Sequence, residues 1–159
     1  MKKIPSFEVN HIDLLPGVYV SRKDYVGDQI LTTFDIRITR PNLEPVMGTG
    51  EIHATEHLVA TYLRNNEDKK ELIVYFGPMG CRTGYYLIMK GDLQPEEILE
   101  LLKEAFEFVR DFTDEIPGAN ARDCGNYIDM NLPMAKYYAN KYLNETIYNI
   151  TKEKMVYPK

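Results

Sequence analysis

Between Ile30 and Thr39 apolar and polar side chains alternate: Phe34, Ile36 and Ile38 fall on one side, Asp35 and Arg37 on the other. A period of two is the mark of a strand with one face buried. The preceding stretch from Val18 to Tyr25 is rich in β-branched and aromatic residues, and Gly27-Asp28 between the two supplies a turn, so the pair predicts a hairpin. Two shorter apolar runs, Leu72–Phe76 and Tyr85–Met89, are separated by Gly77, Pro78, Gly80 and Gly84 and predict two further strands joined by a tight loop.

Elsewhere the period is helical. Glu51 to Asn65 follows the Gly48-Thr49-Gly50 punctuation, with Thr49 or Gly50 as the expected cap and Glu51 suited to the positive end of the dipole. Pro95 opens a second helix whose apolar stripe runs through Ile98, Leu101, Leu102, Ala105, Val109 and Phe112, and Ile116-Pro117-Gly118 ends it. Asn131 to Pro133 reads as the entry to a last helix carrying Met134, Tyr138, Tyr142 and Ile147; the tail from Thr151 predicts no element. Clustered strands and helices that do not alternate with them give an α+β class, an antiparallel β-sheet covered by helices. No repeat, low-complexity tract or long linker interrupts the 159 residues, so residues 1–159 are expected to form a single domain.

Charge and cysteine content narrow the classes of function. Nineteen basic against 24 acidic residues leave a net charge of −5 with no continuous basic face, which argues against non-specific nucleic-acid or anionic-membrane binding. No apolar run approaches the roughly 20 residues that cross a bilayer. Only two cysteines, Cys81 and Cys124, are present, too few for a stapled extracellular scaffold; a cytoplasmic protein with free thiols is expected, a single disulfide being the alternative.

The chemistry is concentrated in His53-Ala54-Thr55-Glu56-His57. Histidines at i and i+4 of a helix lie on one side, the geometry of two ligands to one metal. Glu56 stands about 60° around the helix from His53, near enough for proton transfer without being a ligand. A third donor is needed, and Cys81, Cys124 and His11 are the candidates. Two histidines, one cysteine and an open position make a catalytic site, whereas a fourth protein ligand makes a structural one. H-x-x-E-H is also the inverted zinc-peptidase signature, so a metal-dependent hydrolase with Glu56 as general base is a competing reading, and a non-catalytic metal-binding module is another.

Taken together, Ser6-Phe7 followed by His11, Phe34-Asp35-Ile36-Arg37 with Pro41-Asn42, the His53–His57 motif, Pro78-Met79-Gly80-Cys81-Arg82-Thr83-Gly84, Ile116-Pro117 and Cys124-Gly125 resemble the S-ribosylhomocysteine lyases, or LuxS-type enzymes. These motifs span most of the chain in the family's order. The resemblance implies that His53, His57 and Cys124 hold one divalent metal, natively Fe(II), with zinc or cobalt in some preparations. It implies that Cys81 and Glu56 form the acid/base pair and that Ser6, His11 and Arg37 line the substrate pocket. It further implies that the site is completed across a homodimer interface, with Arg64 matching a position contributed by the neighbouring subunit. The implied reaction cleaves S-ribosylhomocysteine to homocysteine and 4,5-dihydroxypentane-2,3-dione, the autoinducer-2 precursor used in quorum sensing, by two carbonyl migrations and a β-elimination. Without the resemblance, Arg37 would be the solvent-facing neighbour of Asp35 on an alternating strand, and Cys81 a small buried apolar residue. One departure stands out: where many members carry an acidic residue that grips the substrate's amino-acid end, three places before the Pro-Met-Gly-Cys proline, this chain has Tyr75.

Overall fold

A computed structural model describes Lys2, Ile4 and residues 7–159; Ser6 lies outside the described residues. The hairpin forms as β1 (Gly17–Val26) and β2 (Gln29–Arg37), and the two apolar runs become β3 (Ile73–Pro78) and β4 (Gly84–Lys90). All neighbours are antiparallel, in the order β1-β2-β4-β3. Helix α1 (Thr49–Asn65) lies between β2 and β3, and α2 (Leu99–Asp111) and α3 (Leu132–Tyr142) come after β4, so the predicted α+β class with an antiparallel sheet holds.

Cross-strand partners share a face, and the register therefore sorts the sheet's side chains. Phe34 opposite Leu87 and Ile36 opposite Tyr85 point inward, joining Ile52, Leu58, Leu63, Leu102, Phe106 and Tyr142 of the helices in one core. Asp35 opposite Tyr86 and Thr33 opposite Ile88 point the other way. All three α-helices pack against one another and against this single inner face, which leaves the outer face without an α-helix among the described residues. Where the chains cross most closely, Gly84 pairs with Arg37, and a Cβ there would lie 2.3 Å from the Ile36 carbonyl oxygen. Only glycine lets β4 start so near β2.

Several boundaries differ from expectation. The first helix starts two residues early, with Gly48 as N-cap rather than Thr49 or Gly50, because the buried Glu51 carboxylate accepts from the Gly48 N–H. β2 ends at Arg37; Ile38 and Thr39 instead both donate to the Thr83 carbonyl, turning the chain over the start of β4. Pro95–Ile98 is a 3-10 turn leading into α2, and α3 passes into a π turn over Leu143–Ile147 that keeps Ile147 buried. The tail, which carries no sequence signal, crosses the outer sheet face: the Tyr157 ring stacks on Tyr19 with centroids 4.9 Å apart.

Leu58, fully buried between α1 and the sheet, measures how tightly this layer is closed. Leu58→Ala is expected to cost about 2–5 kcal/mol, seen as a lower urea midpoint with an unchanged slope. Ile12→Ala, at a side chain 78% exposed, should stay within about 0.5 kcal/mol.

Candidate active site

The i, i+4 spacing on α1 brings the His53 and His57 rings to 4.8 Å, edge to face. A long loop between α2 and α3 then carries Cys124 across to them, and its Sγ lies 3.4 Å from His53 Nε2. One donor atom each from His53, His57 and Cys124 falls within 4.8 Å of the others, a group able to hold a metal ion. The donor set fits: tetrahedral bonds of about 2.3 Å to sulfur and 2.05 Å to nitrogen separate N from S by roughly 3.6 Å. Both imidazoles are prepared for ligation. His57 Nδ1 donates to the Pro117 carbonyl at 2.7 Å, and His53 Nδ1 lies 3.1 Å from Asp129 Oδ1. With those nitrogens protonated, each Nε2 carries the free lone pair.

Glu56 stands beside the group without belonging to it. Its Oε2 is 3.8 Å from His57 Nε2, beyond hydrogen-bond reach and near enough to serve a molecule docked at the metal position. The third donor is a thiol from a loop, not the distant carboxylate that the peptidase reading requires. Neither Cys81 nor His11 belongs to the group, so a fourth ligand that would close the site is absent from it among the described residues.

Cys81, His11 and Arg37 instead assemble on the outer sheet face. Arg37 is not solvated: it and Asp35 are only 3% and 1% exposed, correcting the expectation for an alternating strand with one wet face. The tail covers them, and the Tyr157 hydroxyl donates to Asp35 Oδ2 at 2.9 Å. Asp35 takes the guanidinium through two bonds, Nε to Oδ1 at 3.1 Å and Nη2 to Oδ2. Burial works against the charge on Arg37, but Asp35 outweighs it and holds the guanidinium protonated. Burial and then Asp35 raise the Tyr157 phenol, so it stays a donor. The free corner of Arg37, Nη1, donates to Thr83 Oγ1 at 2.6 Å and approaches Cys81 Sγ at 3.8 Å.

Cys81 is an exposed free thiol, presented by the Met79–Thr83 turn with Arg82 at φ 61°. Desolvation is the largest single influence on it and opposes the thiolate. The Thr83 hydroxyl and amide, with Arg37, together overcome that, so the thiol titrates below its ordinary range. His11 Nδ1 donates to the Val9 carbonyl at 2.9 Å, and the residue shares a cavity of about 30 Å³ with Asp35, Arg37, Tyr86 and Tyr157. Arg64 is exposed and reaches the Val74 carbonyl at 3.3 Å. It lies eleven positions along α1 from His53, roughly 16 Å along the axis. Asp35, Thr83, Asp129, Tyr157 and the Pro117 carbonyl were not found from sequence. Of these only Asp35 had a local signal, an opposite charge two places from Arg37 on the same strand face.

Fold and donors define the class: a small α+β protein with a two-histidine, one-cysteine group able to hold a metal ion and, beside the outer sheet face, a separate thiol held toward its ionised form. A family model described as S-Ribosylhomocysteinase (LuxS) matches residues 4–153. The chain is 61% identical over 158 residues to a protein of Clostridium beijerinckii named S-ribosylhomocysteine lyase, covering 99% of each chain. Proteins of the same name from Finegoldia magna and Borrelia garinii subsp. bavariensis are 61% and 51% identical over 158 residues, with 99% of this chain and 99% and 100% of theirs covered. The chain belongs to the S-ribosylhomocysteinase (LuxS) family.

Thr83→Val keeps the shape of the side chain and removes the hydroxyl that favours the thiolate. On a Cys124→Ala background, where Cys81 alone reports, the pH midpoint of iodoacetamide alkylation is expected to move upward. An unmoved midpoint contradicts this assignment of cause.

Proposed function

We propose that the chain, over residues 1–159, is a metal-dependent lyase that cleaves the thioether of S-ribosylhomocysteine to homocysteine and 4,5-dihydroxypentane-2,3-dione, working as a cytoplasmic homodimer with one Fe(II) per subunit. The observation that carries this reading is the pairing of a three-donor metal group with a separate thiol held toward its ionised form. Curated relatives named for this activity over the whole length support it. Two free cysteines, one of them needed as a thiol, suit a reducing compartment. Imidazole and thiolate donors accept iron, zinc or cobalt.

The reaction asks for what these residues offer. The C5–S bond is not labile until a carbonyl stands at C3, so the aldehyde of the opened sugar must migrate from C1 to C2 and then to C3. A divalent ion held by His53, His57 and Cys124 supplies Lewis acidity to a sugar carbonyl. Cys81 as thiolate takes a carbon-bound proton and returns it to the neighbouring carbon, with Arg37 and Thr83 favouring the ionised sulfur. Glu56 moves protons among the hydroxyl oxygens and in the final elimination, when loss of the C4 proton expels homocysteine thiolate. His11 and Arg37 line the pocket from the thiol side; Ser6 and Arg64 complete it.

Geometry supports the homodimer. The thiol cluster and the metal group lie on opposite sides of the sheet, joined by no hydrogen bond or ion pair among the described residues. A site that uses both therefore draws them from two chains. The outer face offers the surface for such an association: a cavity of about 430 Å³ lined by Ile4, Ser21, Arg22, Thr33, Tyr75, Tyr86 and Ile88. Tyr75 is half exposed there, and its hydroxyl or backbone carbonyls would take the place of the missing acidic grip on the substrate's amino-acid end.

Anaerobic, iron-loaded protein should release free thiol from S-ribosylhomocysteine, and no release overturns the reading. Cys81→Ala and Glu56→Gln are each expected to lower kcat by about 10²- to 10⁴-fold. Mixing inactive Cys81→Ala and Cys124→Ala chains should restore roughly a quarter of wild-type activity, since half the dimers then hold one intact site of two. Failure of the mixture to gain activity, with subunit exchange verified, removes the shared site.

A further inference from the structure

We propose that Asp129 is a positioning residue of the metal centre, fixing the His53 imidazole in the tautomer and orientation that direct Nε2 at the ion. The proposal rests on reading His53, His57 and Cys124 as a metal site. Its basis is the contact of Asp129 Oδ1 with His53 Nδ1 at 3.1 Å. A carboxylate oxygen accepts, so Nδ1 is the donor of this contact, and a neutral imidazole bonded this way turns the lone pair of Nε2 to the other side of the ring. Cys124 Sγ lies 3.4 Å from that Nε2, on the side of the ring away from Asp129.

The two histidines are thus backed unequally. His57 leans on a neutral carbonyl of Pro117, whereas His53 leans on a charge. A carboxylate behind a ligating imidazole raises its basicity as well as holding its ring plane, and loss of such a partner typically costs 10- to 100-fold in metal affinity.

Asp129 is placed by the fold rather than by chance. A Cβ on Gly50 would fall 2.3 Å from the Asp129 carbonyl oxygen and 3.2 Å from Asn131 Cβ, so the loop backbone descends onto the first turn of α1 only because that residue is glycine. Asn131 N–H donates to the Gly50 carbonyl at 3.0 Å, and its side chain caps α3 by accepting from Met134 N at 3.1 Å. Residues on both sides of the contact are pinned to two helices. The Asp129 side chain itself is 36% exposed and, among the described residues, makes this one hydrogen bond. Nothing in core packing requires it.

Cobalt(II) titration of the metal-free chain against a competing chelator, with the visible spectrum recorded, tests the proposal. Asp129→Ala should bind cobalt 10- to 100-fold more weakly, with shifted ligand-field and thiolate charge-transfer bands. Asp129→Asn keeps the side chain's size and one acceptor oxygen; it should fall between Ala and wild type in affinity, with a near wild-type spectrum, and it carries the test should the alanine variant fold poorly. Wild-type affinity and spectrum in both variants overturn the role of Asp129 and leave the metal reading standing. A wild-type chain that binds no cobalt removes the metal reading, and this inference with it.

Discussion

A β-strand offers its side chains two directions and no third, and that constraint organises this protein. On β2, Phe34 and Ile36 go into the core beneath α1, which forces Asp35 and Arg37 onto the opposite face. Cys81 follows Arg37, because the β3–β4 turn ends where Gly84 pairs with it. The two histidines follow α1, whose residues not used for packing are left to carry ligands, and the α2–α3 loop brings Cys124 to them. Metal group and thiol are therefore held apart by the same alternation that builds the core. The proposed chemistry uses both groups, and for that reason it calls for a second copy.

Placing a charged pair under the tail is costly unless every atom is answered. Here the answer is nearly complete: Arg37 spends two nitrogens on Asp35 and one on Thr83, and Asp35 accepts from Tyr157 in addition. Such a network fixes the guanidinium rigidly, and a rigid cation beside Cys81 acts on the thiol more steadily than a solvated arginine would. The tail thus belongs to the thiol side of the site, though no residue of it touches the sulfur.

The legible part of the molecule was local. Alternation in β2, the apolar stripe of α2 and the i, i+4 histidines each lie within a few residues, and each reappears in the fold. What escaped was set by distant partners. His53 meets Asp129 across 76 residues, His57 meets Pro117 across 60, and Tyr157 meets Asp35 across 122. The Asp35–Arg37 face reads as wet because nothing in the tail's composition announces that it will lie there. The Gly48 cap escaped for a related reason: Glu51 was read as answering the helix dipole, while its carboxylate turns back to the backbone N–H three residues earlier.

The loop from Phe112 to Asn131 gathers these threads. About twenty residues without regular structure are uncommon inside a compact domain, and such loops are ordered when something beyond their own backbone holds them. This one is held at successive points along one helix: Pro117 on His57, Cys124 and Asp129 on His53, Asn131 on Gly50. Three of those four contacts fall on metal-group side chains. An ion bound by His53, His57 and Cys124 would tie loop to helix in the same places, so metal affinity and loop order draw on one set of contacts. Ligand geometry here is a property of how the loop is laid along α1, and residues that lay it there, such as Gly50, belong to the site as much as those that touch the ion.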